Sequence, residues 1–293
     1  MNTKNWMKDI DSKIPVSMIN IPGTHDSATE FMNSIVPQFY RCQDKSIYEQ
    51  IKLGARFIDA RLQYKNKHFR FVHSIGDCRV AKPWNSALLY FDDVLADIKL
   101  FLTENPSETI LLSVKMDDGN NADVFYREFY NAFIKDNKAL WFLDNRIPCL
   151  GEIRGKIVFI RRCILGDNAF SSRDNGIDFS FWEDQSSCKS TLPLPCWFGS
   201  EKNEKAIIQD RYRLKKEDKW QKAAVTMFEN YDPHENMMAF NFLSAAGIPQ
   251  KNAEYINCEF KKYKLPKKPL GIVIFDFLDT ELSEKIINTN FEV

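Results

Sequence analysis

The strongest constraint on the fold of this chain is a repeated pair of patterns, a short apolar run followed by a longer segment with helical spacing. The apolar runs lie at residues 18–21, 57–62, 69–73, 109–115, 156–162, 207–212, 238–243 and 270–277. Strands that alternate with helices are typical of βα units, whose strands pair in parallel. A barrel of such units takes about 250 residues, and the chain has 293. We therefore predict an α/β fold with one (β/α)8 barrel of the TIM type over residues 1–293.

Helical spacing is found between these runs, at residues 46–52, 92–102, 123–134, 215–230, 253–262 and 282–288. The segment from residue 165 to residue 204 differs, because serine, asparagine, aspartate and proline interrupt the periodic apolar positions. Such a composition predicts long loops. We therefore expect the barrel to be irregular or incompletely closed in its middle.

Polar side chains lie at or near the C-terminal ends of most of the predicted strands. In the run 57–62, Asp59 and Arg61 share the face opposite Ile58 and Ala60, because side chains alternate along a strand. Two charges on a buried strand are costly unless they are paired or used. A structural ion pair would explain this strand, whereas a barrel with a polar mouth explains the pattern at most of the strands. The candidate mouth residues are His25, Asp26, Asp59, Arg61, His73, Lys115, Arg162, Asp210, Tyr212 and Asp276.

The first of these positions has informative surroundings. A proline–glycine pair stops the apolar run 18–21, and His25, Asp26 and Ser27 follow at once. A histidine, with a free pKa of about 6.5, suits both giving and taking a proton near neutral pH. On this motif alone, a turn at His25 with a helix cap at Asp26 or Ser27 is an equally good interpretation. The other strand ends favour a catalytic role.

The candidate residues combine histidines, carboxylates and cations. A carboxylate bonded to one ring nitrogen of a histidine fixes the tautomer and raises the basicity of the other nitrogen, which suits general base and general acid catalysis. Arg61, Lys115 and Arg162 supply positive charge, and an arginine fork matches phosphate oxygens. The sequence has no metal-ligand spacing, and these cations would repel a metal. The set predicts a phosphodiester or phosphorylated substrate, with no metal and no cofactor.

Composition excludes several classes of protein. The 40 basic and 40 acidic residues leave no net charge, so nothing global attracts nucleic acid. Seven cysteines without close pairs indicate reduced or buried thiols. No apolar run approaches the roughly 18 residues of a membrane span. Residues 1–6 lack the apolar core of a signal peptide, which favours a cytoplasmic protein, although a trimmed secreted protein would carry no trace of its leader.

Several motifs, in order along the chain, resemble those of the bacterial phosphatidylinositol-specific phospholipases C. They are IPGTHDS (21–27), GARFIDAR (54–61), VH (72–73), RGKIV (154–158), QDRY (209–212), NFLS (241–244) and IVIFD (272–276). The resemblance extends along most of the chain. It implies a distorted, partly open β/α barrel that forms a single catalytic domain. It also implies metal-independent cleavage of phosphatidylinositol to diacylglycerol and a 1,2-cyclic inositol phosphate.

The resemblance further implies roles for the two histidines. His25 would be the general base that deprotonates the inositol 2-hydroxyl, with Asp276 as its partner. His73 would protonate the departing diacylglycerol oxygen, supported by Asp26. These are expectations from the family, and the spacing of the residues alone does not separate the base from the acid.

Phosphate and inositol contacts are implied in the same way. Arg61, oriented by Asp59, would hold a non-bridging phosphate oxygen. In calcium-dependent eukaryotic relatives acidic ligands hold the metal, and here Arg61 and Lys115 stand in that region, which favours calcium independence. The implied inositol contacts are Lys115, Arg162, Asp210 and Tyr212.

The sequence also departs from the family pattern. Ser74 follows the second histidine, where the family usually has glycine. The family's interfacial tryptophans have no match on the mouth loops. Either a membrane-touching rim or ordinary core packing would explain the apolar residues Phe31, Met32, Ile35, Val36, Phe39 and Ile248. The lysine-rich segment 261–268 looks like a lipid-surface patch, but it precedes a strand, so we expect a solvated loop at the bottom of the barrel.

We expect the partner to be phosphatidylinositol or a related inositol lipid, met by a monomer during transient contact with a membrane surface. Two other interpretations stay open. One is a metal-dependent glycerophosphodiesterase, which needs carboxylates around a metal. The other is a non-catalytic module that binds an inositol phosphate or a lipid headgroup. The presence of both histidines and both partner carboxylates argues against the second.

Overall fold

The computed structural model describes residues 2–33, 36–74, 76–82, 86–117, 121–187, 189–199 and 203–291. The strands, in chain order, are β1 (Ile21–Thr24), β2 (Met32–Asn33), β3 (Phe57–Lys65), β4 (His68–His73), β5 (Gly76–Cys78), β6 (Ile110–Met116), β7 (Trp141–Phe142), β8 (Ile157–Arg162), β9 (Ile177–Asp178), β10 (Leu194–Phe198), β11 (Glu204–Gln209), β12 (Met237–Phe242) and β13 (Ile272–Phe275).

The α-helices are α1 (Ile47–Lys52), α2 (Phe91–Glu104), α3 (Ala122–Phe129), α4 (Leu150–Ile153), α5 (Lys216–Asp218), α6 (Val225–Asn230), α7 (Pro249–Lys262) and α8 (Thr280–Asn288). Short segments of 3-10 helix lie at Trp6–Asp9, Val16–Met18, Pro37–Phe39 and Lys135–Leu140. Two π-helical turns, Tyr130–Ile134 and Lys219–Ala224, extend α3 and join α5 to α6.

One curled sheet organises the molecule. Within the described residues, eight strands run parallel in the order β11-β12-β13-β1-β3-β6-β8-β9, and the two-residue β7 also pairs in parallel with the start of β8. β10 lies antiparallel on the outer edge of β11, and no described residue of β10 pairs with β9. The α/β barrel is therefore distorted and open at this seam, as predicted from the irregular middle of the sequence.

Apolar residues fill both faces of the sheet. Phe57, Leu111, Val158 and Ile274 belong to the cluster inside the barrel, whereas alternate residues such as Ile58 belong to the cluster between the sheet and the helices. The inward positions become polar at the C-terminal ends of the strands. Alternation therefore brings Asp59, Arg61, Lys115 and Arg162 onto the inner face, as strand periodicity predicted.

The closed end of the barrel, at the N-terminal ends of the strands, is sealed by a buried ion pair. Arg56 Nη2 lies 2.8 Å from Glu108 Oε2, and both side chains are fully buried. The guanidinium also donates to the carbonyls of Thr3, Lys4 and Ile51. These bonds attach the N-terminal segment to the sheet.

The first strand differs from its prediction. The segment before it is a 3-10 turn, and β1 continues through Pro22 and Gly23, which the sequence suggested would end it. Pairing of β1 with β3 begins only at Gly23, so the amide that Pro22 lacks would have no partner strand beside it. A Cβ at Gly23 would lie 2.8 Å from the Cβ of Phe57, so glycine permits β3 to pack closely there.

Three other predicted elements need correction. The run 69–73 is not a barrel strand, because β4 is antiparallel to the upper part of β3. The eighth parallel strand is instead β9, inside the segment for which only loops were predicted. β11 ends at Gln209, so Asp210 and Tyr212 lie on the turn after the strand and not on one strand face.

Candidate active site

A cleft of about 500 Å³ lies at the C-terminal ends of the parallel strands. Eight of the ten predicted residues line it: His25, Arg61, His73, Lys115, Arg162, Asp210, Tyr212 and Asp276. The other two, Asp26 and Asp59, are buried and contact the lining arginines and histidines from beneath. The structure therefore brings all the predicted residues to one place.

His25 follows β1 directly and is fixed by its neighbours. Its Nδ1 lies 2.8 Å from Asp276 Oδ1, at the end of β13. Its Nε2 lies 2.9 Å from Arg61 Nη2, a donor, so the ring accommodates a proton on Nδ1 and a lone pair on Nε2. Burial would lower the pKa of His25, but the carboxylates of Asp26 and Asp276 outweigh it and raise this pKa. These are properties of a general base.

His73 reaches the cleft from the β3–β4 hairpin. Its Nδ1 lies 2.8 Å from the carbonyl oxygen of Tyr40, and its Nε2 lies 3.2 Å from Asp26 Oδ2. Both ring nitrogens thus face oxygen acceptors, which satisfies the two N–H groups of an imidazolium. The ring centroids of His25 and His73 are 6.4 Å apart. The two histidines therefore have different settings, one suited to a base and one to an acid.

Asp26 lies between the two rings. Its carboxylate approaches Arg61 Nε at 2.7 Å, His25 Nε2 at 3.1 Å and His73 Nε2 at 3.2 Å. Burial would raise the pKa of Asp26, but Arg61 and the two histidines lower it, so the group is a carboxylate. Among the described residues no donor is aligned for a hydrogen bond to either side-chain oxygen. Asp26 therefore links the acid, the base and the arginine through charge.

Asp59 anchors two arginines. It is fully buried, accepts from Arg61 Nε at 3.2 Å on one oxygen, and accepts from Arg162 Nη1 at 3.2 Å on the other. Burial would raise the pKa of Asp59, but these two guanidinium groups hold it well below its usual range. Arg61 and Arg162 come from β3 and β8 and meet on this carboxylate. The expected orientation of Arg61 by Asp59 agrees with this geometry.

The other side of the cleft includes residues that sequence reasoning missed. Asp117 accepts from Lys115 Nζ at 2.9 Å, and Asp184 accepts from the hydroxyl of Tyr212 at 2.8 Å. The guanidinium of Arg162 lies 3.7 Å from the ring centroid of Trp182. Asp117 stands two residues after Lys115, so strand parity gives a signal for it. The other two missed residues belong to the loop after β9 and have no periodic signal.

Ser74 takes a backbone conformation that usually favours glycine. Its φ is 55°, and its N–H donates to Asp117 Oδ2 at 3.1 Å. This position is where the sequence departs from the family pattern. The structure shows that serine occupies the left-handed region here, next to His73, at a cost in strain.

The donor atoms of His25, Asp26 and Cys42 lie within 4.8 Å of one another and are the group in the described chain that resembles a metal site. The guanidinium of Arg61 already contacts Asp26 at 2.7 Å. Burial raises the pKa of the Cys42 thiol well above its usual value, so the sulfur is a poor metal ligand. These donor atoms therefore suit the guanidinium of Arg61 better than a metal ion.

The apolar residues that could form a membrane-touching rim differ in their exposure to solvent. Val36 and Phe39 are exposed, and Phe39 lines the cleft, whereas Met32 is buried and Ile35 lies outside the described residues. Phe31 and Ile248 are half-buried. The lysine-rich segment 261–268 ends just before β13, at the closed end, where Lys268 contacts Asp232. In the part of the chain that the structure describes, no helix has the length and apolar character needed to span a membrane.

Comparison with known proteins gives matches to sequence and to fold. The family model described as PI-PLC X 1 matches residues 13–140. The 1-phosphatidylinositol phosphodiesterase of Staphylococcus aureus strain Newman is 29% identical over 170 residues, which cover 54% of this chain and 51% of that protein. The protein of the same name from Listeria monocytogenes is 25% identical over 314 residues, covering 99% of this chain and 86% of that protein.

A solved structure agrees with these sequence matches. A variant of the phosphatidylinositol-specific phospholipase C from Staphylococcus aureus has a TM-score of 0.78 and 25% identity, covering 99% of this chain and 98% of that one. The family model includes both histidines, and the longer matches extend across the rest of the barrel. The family predicted from the sequence motifs is confirmed. Residues 13–140 match the phosphatidylinositol-specific phospholipase C X domain, and the chain as a whole resembles the bacterial enzymes in sequence and shares their barrel fold.

Proposed function

We propose that this protein is a phosphatidylinositol-specific phospholipase C that forms diacylglycerol and inositol 1,2-cyclic phosphate without a metal ion. The observation that carries the proposal is the pair of facing histidines, one set as a base by Asp276 and Arg61 and one set as an acid by Tyr40 and Asp26. The relatives named 1-phosphatidylinositol phosphodiesterase support the substrate class.

The first half of the reaction uses His25. Its Nδ1–H donates to Asp276, so the lone pair on Nε2 takes the proton of the inositol 2-hydroxyl. The 2-oxygen attacks the adjacent phosphorus and forms the cyclic ester. Arg61 Nη2, which contacts His25 Nε2 in the free protein, moves to a non-bridging phosphate oxygen. The substrate thus replaces one hydrogen-bond partner of Arg61 with another.

The second half uses His73. As the bond from phosphorus to the glycerol oxygen breaks, the Nε2 proton of the imidazolium passes to that oxygen, and diacylglycerol leaves. Asp26 Oδ2 lies 3.2 Å from this nitrogen and holds the ring in place for the transfer. At the end His25 is protonated and His73 is neutral, so the protons balance. A water molecule that attacks the cyclic ester with the two roles reversed would restore both rings.

The inositol ring is assigned to the side of the cleft formed by Lys115, Arg162, Asp210 and Tyr212, in agreement with the family roles. These side chains offer cationic donors, a carboxylate acceptor and a hydroxyl, which suit ring hydroxyls. Arg162 is held by Asp59 and by the face of Trp182, so its direction is fixed before substrate binds. Preorganised donors of this kind favour recognition of one ring orientation.

The lipid chains must leave the cleft toward a membrane. Phe39 is 46% exposed and Val36 is 38% exposed; both follow β2, and Phe39 lines the cleft. Exposed apolar side chains beside a lipid-binding cleft are typical of surfaces that touch a membrane. We assign the transient membrane contact to this edge.

The direct test is phosphorus NMR of the product formed from phosphatidylinositol in detergent micelles with a chelator present. We expect the wild type to produce a cyclic phosphate signal, and His25→Ala to produce none within about a thousandfold longer time. His234→Ala is the matched control, because His234 is an exposed histidine outside the cleft.

The same samples separate the other interpretations. Activity that disappears with chelator and returns with calcium would contradict the metal-free mechanism and support a metal-dependent phosphodiesterase. Binding of myo-inositol without product from the wild type would support the non-catalytic module. Loss of activity in both histidine variants would indicate damage to the fold and not to the chemistry.

A further inference from the structure

One buried charge has no part in the chemistry proposed above. Lys219 is fully buried, and its Nζ donates to Gln209 Oε1 at 2.7 Å. It begins the π-helical turn Lys219–Ala224, an irregularity that is frequent near functional sites. A buried lysine is rare unless a partner offsets its desolvation. Among the described residues its hydrogen-bond acceptor is a neutral amide, so the reason for the charge must be sought nearby.

Gln209 connects this ammonium to the cleft. The same Oε1 accepts from the backbone N–H of Arg211 at 3.0 Å, and the amide nitrogen donates to Asn241 Oδ1 at 2.8 Å. Gln209 is the last residue of β11, and the turn that follows carries Asp210 and Tyr212 into the cleft. The bonds to Gln209 therefore fix the start of the turn that presents two of the proposed inositol contacts.

The charges around Lys219 come from two elements. The carboxylates of Asp210, after β11, and Asp276, after β13, favour the ammonium, and the guanidinium of Arg211 opposes it. Burial outweighs these carboxylates and lowers the pKa of Lys219 to about 7. Burial also raises the pKa of Asp210, and Lys219 is the strongest of the groups that counter this, ahead of His25. The lysine and Asp210 therefore stabilise each other's charged forms.

We infer that Lys219 is a positioning residue for inositol recognition: its ammonium, held on Gln209, keeps the turn that carries Asp210 and Tyr212 in place. This inference rests on the proposed function, because it assigns the ring hydroxyls to Asp210. It adds a residue that touches no substrate atom and lies outside the cleft lining.

The role of Lys219 predicts how the affinity for inositol changes with pH. The ammonium is present below a pH of about 7 and is lost above it. An ammonium bonds the amide oxygen of Gln209 more strongly than a neutral amine does, so its loss weakens the anchor of the turn that carries Asp210 and Tyr212. Inositol affinity should therefore fall as the pH rises from about 6 to about 9. His25 also titrates with a raised pKa, so the pH profile must be compared with that of a variant that lacks only the lysine.

The test uses the whole protein and the soluble probe myo-inositol, with the dissociation constant measured by NMR titration at both ends of that pH range. Lys219→Met keeps most of the volume and removes the charge. We expect about tenfold weaker binding at the lower pH and a flat profile, against a fall of about tenfold for the wild type. Lys222→Met is the matched control, because Lys222 lies in the same helical turn but is exposed and pairs with Asp218.

Kinetics give a second measure. With inositol 1,2-cyclic phosphate as a soluble substrate, the lysine variant should raise KM about tenfold and change kcat by less than about threefold. Unchanged affinity in a folded Lys219→Met protein, or a wild-type affinity that does not fall with pH, would overturn the inference. If Lys219→Met does not fold, the same measurements on Lys219→Gln and on the wild type across the pH range test the role of Lys219 instead. A wild type that binds inositol but cleaves nothing refutes the proposed function alone, and one that binds no inositol refutes both.

Discussion

Each end of the barrel has an arginine paired with carboxylate oxygens, fully buried at the closed end and partly exposed at the mouth, and the two arginines differ in how many of their donors are used. At the closed end, Arg56 donates through Nε, Nη1 and Nη2 to Glu108 and to four backbone carbonyls. At the mouth, the hydrogen bonds of Arg61 within the described chain come from Nε and Nη2. Arg61 thus keeps a donor group for a ligand, whereas Arg56 has none left.

Backbone conformation shows the same contrast. At the mouth His25, His73 and Asp276 are each followed by a residue with positive φ that is not glycine: Asp26 at 42°, Ser74 at 55° and Phe277 at 51°. At the closed end, Gly54 and Gly271 take the positive φ values just before β3 and β13. Strain of about 1–3 kcal/mol per residue is tolerated where side chains must be aimed. This difference indicates that the contacts at the closed end stabilise the fold, whereas the side chains at the mouth are positioned to exchange protein contacts for contacts with a ligand.

The strongest way to test the mouth is to change the partner of the base. Asp276→Asn keeps the shape but removes the charge that holds the His25 tautomer, so we expect kcat to fall by about a thousandfold to ten-thousandfold. The pKa of His25 should fall, because Asp276 raises it both by charge and by a hydrogen bond. A base works only when neutral, so the acidic limb of the pH–rate profile should move to lower pH. The measurement is kcat against pH with phosphatidylinositol micelles.

Asp279→Asn is the matched control for that change. Asp279 caps α8 by accepting from the N–H of Leu282, and asparagine caps a helix equally well. Its activity should stay within about twofold of the wild type. An Asp276→Asn protein with normal kcat and an unmoved acidic limb would contradict the assignment of His25 as the base.

A substitution at the closed end should change the free energy of unfolding and leave kcat unchanged. Glu108→Gln leaves the buried Arg56 without its counter-charge, so we expect a loss of about 3–5 kcal/mol in the free energy of unfolding. This corresponds to a fall in melting temperature of roughly 10 °C. The folded fraction should keep its kcat, because Glu108 lies at the opposite end of the sheet. Calorimetry and kcat measured well below the transition check both parts.

An exposed ion pair provides the comparison for Glu108. Asp218→Asn removes the partner of Lys222 on the surface, where such pairs contribute less than about 1 kcal/mol. If the two variants lose equal stability, the closed end has no special role. If Glu108→Gln lowers kcat as strongly as Asp276→Asn does, the two ends are coupled and the contrast fails.

Strand periodicity predicted most of the site because its residues lie at the C-terminal ends of regular strands. Asp59 and Arg61 follow Phe57 on the inner face of β3, and Arg162 follows Ile160 on β8. His73 was predicted for a partly wrong reason, since β4 is antiparallel and returns to the mouth from the extended hairpin. Alternation within a strand is local, so a sequence records it directly.

The rest of the site depends on contacts that a sequence does not record. β9 has two residues, too few for a period, and Trp182 and Asp184 follow it on an irregular loop. That loop is held by Gln185, which donates to the carbonyl of Ile208 at 2.9 Å and accepts from the N–H of Asp210 at 3.0 Å. Both partners lie more than twenty residues away in sequence. Tertiary bonds of this kind place a loop without any periodic pattern.

The smallest expected effect concerns the strained backbone of Ser74 at the mouth of the barrel. Ser74→Gly removes the penalty of about 1–2 kcal/mol for the left-handed conformation but makes the unfolded chain more flexible by about 0.5–1 kcal/mol. The net gain in the free energy of unfolding should be about 0.5–1 kcal/mol. The backbone N–H that bonds Asp117 is retained, so kcat should stay within about twofold. Ser74→Ala keeps the strain while it removes the hydroxyl, and should show no gain. A large loss of kcat in Ser74→Gly alone would mean that the strained serine aims His73, and equal stability of both variants would mean that the mouth stores no strain there.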